Sequence, residues 1–273
     1  EILNARGTDG APWIHSTERG DAGYHGLSLE VETDDELDAA ERVLGATPDA
    51  SYEGHGGGRP VRPRDPDGNA VDVVHGREPS SALAVSGASA GGDGKSVNLG
   101  SERRRLGAVR RIERVPPSVK RLGHAVVRVA DFERSQDWYR SRFGFLVSDD
   151  VFIGEQSNVV TSFLRCDRGD EYTDHHTMLC IGLGEPGFDH AAFEVEDVDA
   201  VMVGHDLLKA AGYTHHAGVG RHVLGSQIFD YWRDPWGHVL EHVTDGDLLN
   251  RSHEPGLHDP ATALGTQWGT FGP

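Results

Sequence analysis

"RDPWGHVLEHV" (residues 233–243) recurs almost position by position as "RDPDGNAVDVV" (residues 64–74). Both segments hold an Arg-Asp-Pro-x-Gly turn followed by an alternating apolar run. Proline after aspartate presets such a turn, and glycine supplies the positive φ that leads into the next strand. A second pair fixes the register of the repeat: "YHGLSLEV" (24–31) matches "FDHAAFEV" (188–195), and each is followed by an acidic stretch that opens a helix. One supersecondary unit is therefore used more than once.

Worked outward from that repeat, the C-terminal half reads as strand, helix, strand, strand, strand, twice over. "LGHAVVRVA" (122–130) alternates as a strand. Asp131 caps a helix that carries Phe132, Tyr139 and Phe143 at helical spacing and ends at Gly144. "FLVSDDVFI", "VVTSFLRC" and "HTMLCIGL" follow as three strands. "FDHAAFEVE" restarts the cycle. Residues 197–211 form a helix with Ala200, Val203, Leu207 and Ala210 on one face, and strands at 213–219, 227–233 and 238–243 complete the unit. The fold class is α+β: repeated βαβββ modules that curl into cupped sheets, in two domains.

The N-terminal half, 1–79, shows one such module, so the sequence is expected to begin partway through its domain. Residues 80–120 read as a linker. Its first part, 80–100, holds fourteen Gly, Ala or Ser among twenty-one residues, and its second part, 101–120, carries seven basic residues and a Pro116-Pro117 break. Residues 121–245 form the C-terminal domain, and 246–273 a tail expected to wrap the domain or a neighbouring subunit.

Composition narrows the function classes. The 273 residues carry 26 Lys and Arg against 44 Asp and Glu, a net charge of −18, which repels nucleic acid and anionic membranes. No stretch approaches the roughly 18 apolar residues of a membrane helix. The two cysteines, Cys166 and Cys180, sit in apolar strand-like runs and read as buried free thiols of a reducing cytoplasm.

Three residues stand at matched places of the two C-terminal modules: His124 in the first strand of one, His190 in the first strand of the next, and Glu241 in the last strand. Two imidazoles and a carboxylate on one face of an octahedron leave three adjacent positions open, the arrangement of non-haem Fe(II) oxygenases. Structural zinc sites prefer four closed ligands, usually with cysteine. The N-terminal half is an internal control, because Gly26 aligns with His190 and Asp72 with Glu241. The ligand set belongs to the C-terminal half alone.

"RLGHAVV", "DHHTMLCI", "FDHAAFEV" and "RHVLGSQIFDYWRDPWGHVLEHV" resemble the type I extradiol ring-cleavage dioxygenases of the vicinal oxygen chelate superfamily, the catechol 2,3-dioxygenases and 2,3-dihydroxybiphenyl 1,2-dioxygenases. The likeness is strong over 121–245 and weaker over 1–79, which corresponds to the family's metal-free N-terminal domain. The resemblance implies Fe(II) held by His124, His190 and Glu241, with Mn(II) as the alternative. It makes His176 the acid/base residue and gives His222 and Tyr231 the task of positioning the substrate hydroxyls. His175 adjoins His176, and strand alternation admits one of the two into the cavity. His215, His216, His238, His242, His253 and His258 read as surface or supporting residues, with His242 on the opposite face of its strand from Glu241.

The resemblance further implies a small aromatic diol and O2 as reactants, no nucleic-acid or membrane partner, and a homo-oligomer. Two rival readings stay in view. A glyoxalase-like lyase or isomerase of the same superfamily would draw more carboxylate ligands from both repeats. A small-molecule-sequestering protein of the same fold would need no ligand set.

Overall fold

The computed structural model describes residues 1–49, 51–85, 97–98, 100–107 and 109–271. Most of the Gly/Ala/Ser-rich part of the linker reading, 86–96 and 99, lies outside them, as do 108 and the last two residues of the tail. Near the N-terminus, β1 (Ile2–Ala5) and β2 (His15–Glu18) pair as an antiparallel hairpin that the sequence reading did not anticipate. β3 (Gly26–Glu30), α1 (Asp34–Leu44), β4 (Arg59–Val61) and β5 (Ala70–His75) form a three-stranded sheet in the order β3-β5-β4, with its helix. Thr33 and Glu36 start α1 with a capping box, each side chain accepting the other's backbone N–H.

The first C-terminal module comprises β6 (Val119–Arg128), α2 (Phe132–Phe143), β7 (Leu146–Phe152), β8 (Val159–Arg165), the short β9 (Thr173–Asp174) and β10 (Met178–Ile181). The second comprises β11 (Gly187–Val195), α3 (Val198–Ala210), β12 (Thr214–His222), β13 (Ile228–Arg233) and β14 (Val239–Thr244). β15 (Leu248–Leu249), β16 (Gly256–His258), α4 (Pro260–Ala263) and β17 (Thr266–Gly269) lie in the tail. α2 runs between the predicted signals, the Asp131 carboxylate capping Arg134 N–H and Gly144 closing the helix at φ +69.

Ten strands join in one mixed sheet, ordered β16-β7-β8-β10-β6-β11-β14-β13-β12-β17. In each module the first strand lies parallel to the last, β6 beside β10 and β11 beside β14. The two first strands then pair antiparallel at the centre. This places the strands bearing His124, His190 and Glu241 side by side.

The repeat holds in register as well as in sequence. Gly26 pairs with Ala70 on the parallel β3–β5 ladder, as His190 pairs with Val239 on β11–β14. Both Asp-Pro turns use the same bonds. Asp65 Oδ1 accepts the N–H groups of Asp67 and Asn69, and Asp234 Oδ1 those of Trp236 and His238. Arg64 and Arg233 each reach the carbonyl of the turn glycine.

Two expectations need correction. In α3 the buried residues are Ala200, Val201 and Gly204, whereas Ala210 is exposed. The helix is rotated so that Gly204, lacking a side chain, seats it over the His242 ring. β10 begins only at Met178, so His175 and His176 lie in the irregular segment after β9 rather than on a strand. His222 is the last residue of β12. The tail lies along the sheet: β16 runs parallel to β7 at one edge, and β17 antiparallel to β12 at the other. Residues 259–265 connect them, and seven residues reach at most about 25 Å. The two edges of the cup stand within that span.

The core beneath α2 gathers Val127, Tyr139, Phe145, Leu164, Met178 and Cys180, and Val71 of β5 packs into the same cluster. Tyr139 O–H donates to Asp65 Oδ2 at 2.9 Å, tying the N-terminal turn to α2. The basic segment docks by ion pairs of Arg110 with Asp197 and Asp199 and of Arg114 with Asp206. Removing the buried phenol donor in Tyr139→Phe should lower the urea-unfolding free energy by about 1–2 kcal/mol. Leu164→Ala, which empties a fully buried site, should cost about 2–5 kcal/mol. A Tyr139→Phe protein as stable as its parent would show that this contact does not hold the halves together.

Candidate metal centre

Ala192 of β11 pairs with His124 of β6 on one side and with Glu241 of β14 on the other. Its small side chain lets the imidazole and the carboxylate meet across it. His190, two residues earlier on the same face, completes the group. His124 Nε2 lies 3.2 Å and His190 Nε2 3.5 Å from Glu241 Oε2, and donor atoms of all three residues fall within 4.8 Å of one another.

The donor set fits a divalent cation. Glu241 is 1 % exposed, yet among the described residues neither of its carboxylate oxygens has a hydrogen-bond partner of proper geometry. An isolated buried charge is costly unless it is paired or coordinates a metal. His190 Nδ1–H donates to Asp189 Oδ1 at 2.8 Å, and Nε2 is the ring nitrogen that faces Glu241. Such a carboxylate behind a ligating imidazole fixes its tautomer and orientation.

Asp189 was not among the residues expected at the site. Strict alternation points it away from its neighbour His190, but the β11–β6 register shifts between Phe188 and His190. This bulge turns the aspartate back toward the ring it supports. Its chemical signal, an acidic residue directly before a candidate ligand, was visible; the bulge was not.

The remaining candidates surround the same point. The His176 ring centroid lies 4.0 Å from that of His124. His222 Nε2 is 3.1 Å from Tyr231 Oη and 3.5 Å from Glu241 Oε1. The His190 and Tyr231 rings meet edge to face at 5.2 Å. His175 instead bonds to Asp149, which also takes a bond from His258, a residue the sequence reading had left aside. Phe271 in the tail, likewise unpredicted, packs 5.8 Å from the rings of both His222 and Tyr231.

Burial sets the protonation states. It would raise the Glu241 carboxyl, but the imidazoles of His124, His222 and His190 hold it well below the ordinary carboxylate range. Burial depresses His124, against the pull of Glu241. Burial and the neighbouring imidazoles of His124 and His175 push His176 further down. Tyr231 is raised by burial and by Glu241 and stays protonated.

His205, His215 and Asp230 form a second group with metal-like spacing. Here the donors are satisfied: Asp230 accepts from His215 Nε2 at 2.9 Å, from Trp232 Nε1 and from His205. Asp230 pairs with His242 while the next residue, Tyr231, pairs with Glu241, so the two groups occupy opposite faces of the sheet. The second group is a hydrogen-bonded support beneath α3. His242 points away from Glu241, as alternation requires.

Comparison with known proteins adds three findings. The family model described as Glyoxalase/Bleomycin resistance protein/Dioxygenase superfamily matches residues 121–242. Metapyrocatechase 2 of Cupriavidus necator is 34% identical over 189 residues, 68% of this chain and 52% of the relative. The iron-dependent extradiol dioxygenase of Rhodococcus jostii (strain RHA1) is 28% identical over 134 residues, 46% of this chain and 43% of the relative. The chain thus spans about half the length of these curated relatives. Among solved structures, the Mn(II)-bound glyoxalase from Novosphingobium aromaticivorans superposes with a TM-score of 0.73 at 24% identity, covering 100% of this chain and 81% of that one, which shows the fold. Among the described residues, no helix is long and apolar enough to cross a membrane.

Asp189→Ala should weaken divalent-metal affinity about 10–100-fold by competition with a chelating dye, with the folded state retained. The pH dependence has a definite sign. His124 and His176 have folded pKa values below the unfolded value of about 6.5, so unfolding takes up protons. The metal-free protein should therefore lose stability as pH falls from 7 toward 5.5, read as a falling urea midpoint. A midpoint that rises over that range would contradict these shifts.

Proposed function

We propose, for a chain whose residues 121–242 belong to the Glyoxalase/Bleomycin resistance protein/Dioxygenase superfamily, that it is an extradiol dioxygenase. It opens the aromatic ring of a catechol-type substrate next to the diol and incorporates both atoms of O2. Residues 121–245 are the catalytic, metal-binding domain, and 1–79 a domain without metal. The observation that carries the reading is the bare buried carboxylate of Glu241 between two imidazole nitrogens, with Tyr231, His222 and His176 gathered around it.

His124, His190 and Glu241 would hold Fe(II). Mn(II) accepts the same hard donors, and the name of the Rhodococcus relative favours iron. When bound, ferrous iron supplies the electron transfer between an electron-rich diol ring and O2.

The side chains account for the rest. Two neutral imidazoles and one carboxylate contribute a single negative charge to a dication, leaving one positive charge in a buried site. A catechol that has lost one proton balances it. Tyr231, kept protonated, donates a hydrogen bond to a substrate oxygen, and His222 holds the phenol at 3.1 Å. His176, held neutral, has one bare ring nitrogen to take a proton and can later return it.

The glyoxalase-like alternative calls for further carboxylate ligands. Among the described residues the centre has only Glu241, and its N-terminal counterpart Asp72 is bonded to Arg62. A homo-oligomer in the cytoplasm belongs to the same reading. The exposed apolar residues Ile2 and Leu3 on β1 and the unpaired Cys166 and Cys180 support it.

Protein loaded with Fe(II) under anaerobic conditions, then given air and a panel of catechols, should develop the visible absorbance of a ring-opened product. Zinc-loaded protein should not. Tyr231→Phe should lower kcat/KM about 10–100-fold, the loss of one hydrogen bond to a charged oxygen. Absence of colour across the panel, with iron demonstrably bound, would refute the activity.

A further inference from the structure

Behind His176 runs a chain of polar side chains that the proposed reaction does not use. His176 Nδ1 lies 3.1 Å from Nδ1 of His175. Nε2 of His175 lies 2.8 Å from Asp149 Oδ2, and the other Asp149 oxygen is 2.8 Å from Nε2 of His258. The first three residues are almost fully buried, and His258 comes from β16 in the tail.

The surroundings hold this chain in place. Ser148 Oγ donates to the His175 carbonyl at 2.5 Å, and Arg165, itself buried, donates to Ser148 Oγ and to the Val147 carbonyl. His175 N–H donates to the Asp247 carbonyl at 2.9 Å. Two glycines press on the chain. Gly225, at φ +77, passes so close that a Cβ would stand 3.0 Å from His175 Nδ1. A Cβ on Gly256 would collide with Asp149 Oδ1. Side chains are excluded at both points, so the chain is packed against backbone on two sides.

The donors and acceptors then assign the protons. Burial would raise the Asp149 carboxyl, but bonds from His175 and His258 hold it below the ordinary range, so it is ionised and can only accept. The His175 proton facing it is therefore on Nε2. With one ring proton, His175 presents a bare Nδ1 to His176. The hydrogen bond between them requires the His176 proton on Nδ1, which leaves His176 Nε2 bare.

We propose that Asp149 and His175 are positioning residues that orient the His176 ring and keep its proton on Nδ1, so that Nε2 is free to accept the proton of a catechol hydroxyl. In that transfer the substrate O–H bond breaks, the Nε2–H bond forms, and the electron pair stays on the oxygen. His258 anchors Asp149 from the opposite side, so the C-terminal strand β16 is part of the catalytic support. What Nε2 meets rests on the dioxygenase reading; the tautomer does not.

The test reads both parts separately. Metal-free, 15N-histidine-labelled full-length protein should show His176 as the Nδ1–H tautomer by long-range 1H–15N correlation. In Asp149→Asn, whose side-chain amide can donate to His175 and reverse the chain, the signal should move to the Nε2–H form. The iron-loaded variant should keep metal stoichiometry and KM within about threefold while kcat falls about a hundredfold, the scale of general acid–base catalysis. His175→Phe should match that loss. His175→Gln, whose carbonyl oxygen can still accept from His176 Nδ1–H, should recover most of it.

A wild-type spectrum with the proton on Nε2 overturns the proposal and needs no variant to fold. Unchanged kcat in Asp149→Asn and His175→Phe overturns it as well, as does equal loss in His175→Phe and His175→Gln. If the wild type binds iron but cleaves no catechol, the dioxygenase reading falls, while the tautomer result stands on its own.

Discussion

A carboxylate buried at the middle of a ten-stranded sheet, with no hydrogen bond of proper geometry among the described residues, is the constraint on which this structure turns. Burial of a bare charge is tolerated only where a counter-charge is provided. Here the neighbours are imidazole nitrogens, which carry lone pairs when neutral. Burial lowers His124, and Asp189 fixes the proton of His190 away from the centre. The donor set fits a divalent cation.

The sheet delivers that arrangement through pairing. Two βαβββ modules meet along their first strands, and each first strand also lies beside the last strand of its own module. The candidate ligands on the first strands of both modules and on one last strand therefore converge without any loop having to be held in place. The tail then secures the cup, with β16 on one edge and β17 on the other. It also brings His258 to Asp149 and Phe271 to the rings of His222 and Tyr231. An apparently peripheral segment thus contacts the candidate site on two sides.

Much of this was legible in the residues. The Asp-Pro-x-Gly turns disclosed the repeat because their bonding is local: the aspartate caps its own turn in both copies. Period-two alternation put His242 on the opposite face of its strand from Glu241, and the caps of α2 fell at Asp131 and Gly144. What escaped had nonlocal causes. A bulge, unpredictable from alternation, brought Asp189 to His190. His175 and His176 were placed on a strand that begins only at Met178, and the roles of Asp149 and His258 exist only because distant segments pair. The seating of α3 was misjudged because a glycine, Gly204, rather than a larger apolar residue, makes its closest approach.

The most direct measurement is X-ray absorption at the iron edge on protein loaded with ferrous iron in the absence of oxygen. The account predicts one iron per chain, surrounded only by nitrogen and oxygen donors, with the outer-shell scattering of two imidazoles. That imidazole signature should drop to one in His190→Ala. Sulfur in the inner shell, or a signature indifferent to the loss of His190, would contradict the central claim.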